Sequence, residues 1–148
     1  MGKVLFYAYL MWVSWQDFKE MEVIRYSHLL GGFAIVLQIL ALRISGSEVE
    51  KGWIIAVIHL SVLQIVAYRF QWYGMADVIV LFLCGMWLFF VKGKDNYLQA
   101  YFVLQAMAGS FLWGIQCLKE NVKGLCLLHP VAYIPYISIA FVLTNIVL

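Results

Sequence analysis

The stretch WYGMADVIVLFLCGMWLFFV, residues 72–91, contains one formal charge, Asp77, close to its start. A run of about 20 predominantly apolar residues is what an α-helix needs to cross the roughly 30 Å hydrocarbon core of a bilayer. Residues 72–91 therefore read as a membrane-spanning helix with a carboxylate near one end. A charged side chain costs roughly 2.5–3.5 kcal/mol at the centre of an inserted helix and less near the interface. An acid retained there is a functional candidate by default.

Outward from this segment, charges and turn residues divide the chain into five more apolar runs, at 3–16, 27–42, 52–68, 97–118 and 131–148. The 148 residues are 65% hydrophobic and 12% charged, about half the charge content of a soluble domain. The expectation is an all-α polytopic membrane protein, a bundle of about six transmembrane helices making one membrane-embedded domain over residues 1–148. Six runs nearly exhaust the length, so the connections are short. Trp12, Trp15, Tyr26, Trp53, Trp72, Tyr73 and Tyr97 gather near the ends of the runs, as interfacial anchors do. A net charge of +2 with no long basic run argues against nucleic acid as a partner. No small-residue cleavage site follows the first run, which reads as a span and not as a removed signal.

A second acid, Asp17, closes the first run in Ser14-Trp15-Gln16-Asp17-Phe18-Lys19. With six spans, the first and third connections share a side, so Asp17 and Asp77 belong to the same membrane face. The uncharged stretches from Lys3 to Asp17 and from Asp77 to Lys92 rise only about 20 Å at 1.5 Å per residue. Neither crosses comfortably. Each helix is expected to continue past its aspartate, through Phe18 in one case and back to Trp72 in the other. Both carboxylates would then lie inside the bundle near its rim. Charge does not orient the chain: Lys19, Arg25, Arg69, Lys119 and Lys123 on the acid side balance Lys3, Arg43, Lys51, Lys92 and Lys94 opposite.

Two neighbouring carboxylates do not both ionise easily, because like charges repel, so one proton is shared between them. The ionised member can take a proton from water while the protonated member polarises a carbonyl and later protonates the leaving amine. That is peptide hydrolysis without a covalent intermediate. Gly74, just ahead of Asp77, lets backbone or substrate come close, and Ala76 is small to the same end. The connection holding Lys19, Glu20, Glu22 and Arg25 is charged and suits the interface, where an extended substrate can pair with it. Taken singly, each aspartate reads as a helix-end charge or cap, Asp77 as a cap of the fourth span.

The segment Tyr73-Gly74-Met75-Ala76-Asp77-Val78 resembles the Gly-x-Gly-Asp region of the type IV prepilin peptidases, whose shorter members carry Gly-x-Ala-Asp. Asp17-Phe18-Lys19 followed by Ile24 is similar to that family's first aspartate motif, and Val131-Ala132-Tyr133-Ile134-Pro135-Tyr136 to its closing Pro-Phe-x-Pro-Phe segment. The resemblance implies a membrane-embedded aspartic peptidase with Asp17 and Asp77 as the catalytic pair. Gly74, Met75 and Ala76 would form the active-site loop, and Lys19 and Arg25 would be candidate substrate contacts. It implies as substrate a prepilin-like precursor, with a basic leader ahead of an apolar helix, and a place in the cytoplasmic membrane with the aspartates facing the cytoplasm. Departures are Ile24-Arg25-Tyr26 without the family's Pro and Asn, Ile79 where many relatives have Lys, and Ala76 for the second Gly. The paired-Cys segment of the longer enzymes is not seen, so neither methyl transfer nor zinc is expected. No cofactor is implied. The competing class is a non-enzymatic membrane assembly partner or a small proton-conducting subunit, which also employs intramembrane carboxylates.

The remaining polar residues read as structural. Cys84, Cys117 and Cys126 lack the close spacing of a metal or redox pair. His28, His59 and His129 lie in separate segments and are expected to be satisfied by neighbours. Gln38, Gln64, Gln105 and Gln116 suit either a polar path or interhelical hydrogen bonds. Arg69 suits either an ion pair or a lipid phosphate. Pro135 is expected to kink the sixth span.

Overall fold

Glycine, aromatic and polar residues repeat along the first helix at Gly2, Phe6, Tyr9, Val13 and Gln16, and all five are buried. Alternating steps of four and three residues make one continuous stripe, the seam of a packed helical pair. This stripe lays the helix against its neighbours. The computed structural model of the protein describes residues 2–46, 52–69, 74–123 and 132–147, with the side chains of all but 119–123. Lys51, Trp72, Tyr73, Cys126, His129 and Val131 lie outside the described residues, as do the side chains of Lys119 and Lys123.

Among the described residues there are six α-helices and no strand: α1 (Gly2–Glu20), α2 (Ser27–Ile44), α3 (Trp53–Arg69), α4 (Met75–Lys92), α5 (Tyr97–Lys123) and α6 (Ile134–Val147). The all-α bundle expected from the pattern of apolar runs is what forms. Among the described residues three helices are long and apolar enough to cross a membrane: α2, α4, and α5 over Tyr97–Leu118. The apolar helices α3 and α6 are shorter, at 17 and 14 residues. Helix α1 has the length, with 19 residues, but carries Lys3, Asp17, Lys19 and Glu20.

Helix α4 is the centre of the bundle. Every residue from Leu83 to Phe89 is buried, so the helix has no solvent or lipid face at that level. It packs on α2, α3, α5 and α6, while α1 closes the layer by packing on α2 and α6. Helix α1 reaches α4 through one aromatic contact, the stack of Phe6 on Trp87, with centroids 4.4 Å apart and planes 14° from parallel. Against α2, the ring of Tyr9 rests on Gly31, where a Cβ would come within 2.7 Å of it. The Tyr9 hydroxyl bonds His28 Nδ1 at 3.0 Å, and Ser27 Oγ donates to Gln16 Oε1 at 2.9 Å. These contacts lock the α1–α2 register.

Three local expectations are corrected. Helix α4 does not run back to Trp72: Gly74 has extended backbone (φ −69°, ψ 163°), and the helix starts at Met75. Pro135 is the second residue of α6 and not an interior kink. It occupies the first turn, where a missing N–H leaves no intrahelical bond unmade. Tyr97 is buried and pairs its hydroxyl with His59 Nδ1 at 3.1 Å, so it belongs to the core and not to the interfacial belt. Trp12, Trp15, Tyr26 and Trp53 are exposed, as anchors must be.

Gly85 is where α3 and α5 close on α4. A Cβ there would lie 2.7 Å from Leu60 Cδ2 and 3.2 Å from the Tyr101 ring. Gly85→Ala is expected to destabilise the protein by about 1–3 kcal/mol through overpacking. Gly109→Ala, whose Cβ meets open space, is expected to be neutral or stabilising by about 0.5–1 kcal/mol. Thermal unfolding of the purified protein in detergent measures both.

Candidate active site

Asp17 lies in the last turn of α1, which continues past it to Glu20 as its short apolar stretch required. A carboxylate there meets the negative end of its own helix dipole. Another helix supplies the compensation. The Asp17 carboxylate accepts the backbone N–H of Ile134 at 2.9 Å, with the Tyr133 amide close by. These amides open α6, where the first N–H groups have no intrahelical acceptor. Asp17 therefore caps α6 from a distant part of the chain, and only 8% of its surface is exposed.

Asp77 is the third residue of α4 and caps its own helix. Its Oδ2 accepts the Gly74 N–H at 3.0 Å, one half of a capping-box arrangement. Glycine at 74 permits this close return, since a Cβ there would stand 3.1 Å from the same oxygen. Asp77 is half-buried, Ala76 packs against the core, and Met75 and Gly74 are exposed.

The two carboxylates lie at the same end of the bundle, close enough for the charge of Asp17 to act on Asp77. The Phe6–Trp87 stack sets this register. From the stack to the acids is eleven residues along α1 and ten along the antiparallel α4. These are rises of about 16.5 and 15 Å, so both side chains arrive at the same depth. Each sits at the positive end of a helix, Asp17 at that of α6 and Asp77 at that of α4, and N-terminal amides favour negative charge by about 0.3–1 kcal/mol or more apiece. Among the described residues, no group of three or more His, Cys, Asp or Glu side chains gathers there or elsewhere.

Lys19 and Arg25 stand apart from the pair. Both are exposed, and the Lys19 ammonium lies 4.9 Å from the centre of the Trp15 ring, which holds it at the bundle surface. Arg69 ends α3, exposed. Gln64 and Gln105 both donate to the Tyr101 hydroxyl, an interhelical bond between α3 and α5 and an intrahelical one. Cys84 is buried and Cys117 half-buried, both free thiols.

Three polar groups near the acids escape a reading by composition. Gln16 is buried beside Asp17, and Ser14 Oγ bonds Ser138 Oγ at 2.7 Å across the α1–α6 seam. Gln16 carries a sequence signal, a polar residue in the buried four-and-three stripe. The serine pair carries none, because its partners are 124 residues apart. No family model, curated protein or solved structure matches the chain.

Capping by Asp17 has a measurable consequence. Asp17→Ala, which strips the Ile134 amide of its acceptor, is expected to cost about 0.5–2 kcal/mol. Asp17→Asn keeps an acceptor oxygen and is expected to cost less. Thermal unfolding of the two variants side by side gives the comparison.

Proposed function

We propose that the protein is a membrane aspartic endopeptidase that removes the leader of a prepilin-like precursor, with Asp17 and Asp77 as the catalytic pair. The observation that carries this is the convergence of two carboxylates from separate helices at one end of the bundle, within electrostatic reach of each other. The motif resemblance around Asp17, Asp77 and Pro135 supports the same assignment. In this proposal the aspartate end faces the cytoplasm and the protein resides in the cytoplasmic membrane. The precursor carries a basic leader followed by an apolar helix.

The pair holds one proton between its members, since two neighbouring like charges disfavour double ionisation. Water lies between the carboxylates. The ionised member removes a proton from it as oxygen attacks the scissile carbonyl, and the protonated member donates to the carbonyl oxygen. Collapse of the tetrahedral intermediate returns a proton to the leaving amine, and the pair is restored. The hydrogen bonds from Ile134 and Gly74 each engage an Oδ2 atom, which leaves lone pairs on both groups for water and substrate. A helical backbone is closed to attack, so the precursor is extended at the cut.

Asp17→Asn and Asp77→Asn are each expected to lower cleavage of a leader-bearing precursor by about 10²–10⁴-fold in purified, folded protein, the range of a lost acid–base group. Cleavage at the unsubstituted rate by either variant contradicts the assignment. A proton flux across vesicles that disappears in the same variants, without cleavage, points to a conducting subunit instead. The rate is also expected to follow a bell in pH. It falls on the acid side once both carboxyls are protonated and on the alkaline side once both are ionised. A rate that rises monotonically with pH contradicts the shared proton.

A further inference from the structure

Two grooves on the bundle surface each have one end near the aspartates. One, of about 370 Å³, lies between α3 and α4 and is lined on α4 by Met75, Val78, Ile79 and Phe82. These residues follow one helical face, and Asp77, two residues from Met75 and five from Phe82, points to the opposite side at about 100° per residue. That groove faces away from the carboxylates. The other, of about 520 Å³, lies between α1 and α6. Its α1 wall runs through Leu10, Met11 and Ser14, and the same spacing of three and four continues to Asp17 and Phe18. Its α6 wall begins at Pro135, next to the Ile134 amide that bonds Asp17, and continues through Ser138 and Ile139. This groove leads to the catalytic pair.

We propose that the α1–α6 groove seats the apolar helix of the precursor, so that the residues just ahead of that helix lie across Asp17 and Asp77. The proposal rests on the peptidase reading and says where its substrate lies. The groove walls are uncharged and end one helical turn from Asp17, which complements an apolar helix preceded by basic residues. Met11 is 75% exposed and Ile139 52% exposed, so the groove opens outward along the bundle.

The serine pair distinguishes a peptide from a lipid chain. Ser14 and Ser138 bond each other at 2.7 Å, and Ser138 also lies 3.5 Å from the Leu10 carbonyl. Each hydroxyl has two acceptor lone pairs, so the pair retains acceptor capacity. Ser14 lies three residues, about 4.5 Å, below Asp17 along α1. A substrate unwound at the cut exposes backbone N–H groups at that depth, where an unpaired one costs several kcal/mol. Small side chains there also let a third helix approach closely. An acyl chain has no donor to offer.

The test uses the full chain with Asp17→Asn, reconstituted in phospholipid vesicles, carrying a photoreactive residue at Met11 or Ile139, or for comparison at Ile65 or Phe82. The probe is a synthetic precursor with a Lys/Arg leader and an apolar helix of about 20 residues. Capture at Met11 and Ile139 is expected to exceed that at Ile65 and Phe82 by about tenfold, a difference of about 1.4 kcal/mol in occupancy. Equal or stronger capture in the α3–α4 groove overturns the proposal, and so does capture only of lipid or of a second copy of the chain. With Asp17 and Asp77 intact, Met11→Trp and Ile139→Trp are expected to raise KM for the same precursor about tenfold, with a smaller change in kcat. Ile65→Trp is expected to leave KM unchanged, and an unchanged KM in all three variants overturns the proposal. Capture is scored on a chain that does not cleave, and cleavage on the unsubstituted chain. Loss of the groove and loss of the peptidase reading therefore give different results.

Discussion

A carboxylate in the last turn of one helix holds the first amides of another, and the arrangement at the aspartate end depends on it. Asp17 accepts the N–H group of Ile134, more than a hundred positions away, with the Tyr133 amide close by. That contact ties α1 to the start of α6 and sets the upper end of the groove between them. It also explains how an acid survives there. The favourable field of one helix terminus, about 0.3–1 kcal/mol when exposed and up to about 2 kcal/mol when partly buried, does not by itself offset the roughly 2.5–3.5 kcal/mol of a charge at mid-membrane depth. Charge-assisted hydrogen bonds and a position at the rim supply the rest.

The same solution appears twice. Asp77 takes the amide at the start of α4, and α4 is the helix around which the bundle is built. Two positive helix ends thus lie at one end of the bundle, each against a carboxyl side chain with a structural reason to be where it is. A cap and the proposed acid–base pair are compatible descriptions. Capping fixes the carboxylates in space without consuming all their lone pairs, which is what preorganised proton transfer requires. Between them, the Phe6–Trp87 stack acts as the spacer that brings both acids to one depth.

Much of this was legible in the chain. Helix number follows from the apolar runs, and the common end of Asp17 and Asp77 follows from counting them. The extension of α1 beyond Asp17 follows from length, because a shorter helix falls short of the hydrocarbon thickness. What was not legible depends on contacts between distant residues. Apolar periodicity does not reveal that α6 begins at Ile134 with Pro135 in its first turn, because the acceptor that completes that turn lies on α1. Tyr97 carries the composition of an interfacial anchor, and only its bond to His59 moves it into the core. The Ser14–Ser138 pair and the groove it floors belong to tertiary packing alone.

The most direct test of the whole account replaces Asp17 and Asp77 together by cysteine, in a chain whose native cysteines have been changed to alanine, and treats it in sealed vesicles with a short thiol-to-thiol cross-linker. The account requires intramolecular coupling of the two positions in high yield, and labelling of both by an impermeant thiol reagent from the same side. Labelling from opposite sides, or no coupling in a folded protein, would contradict it.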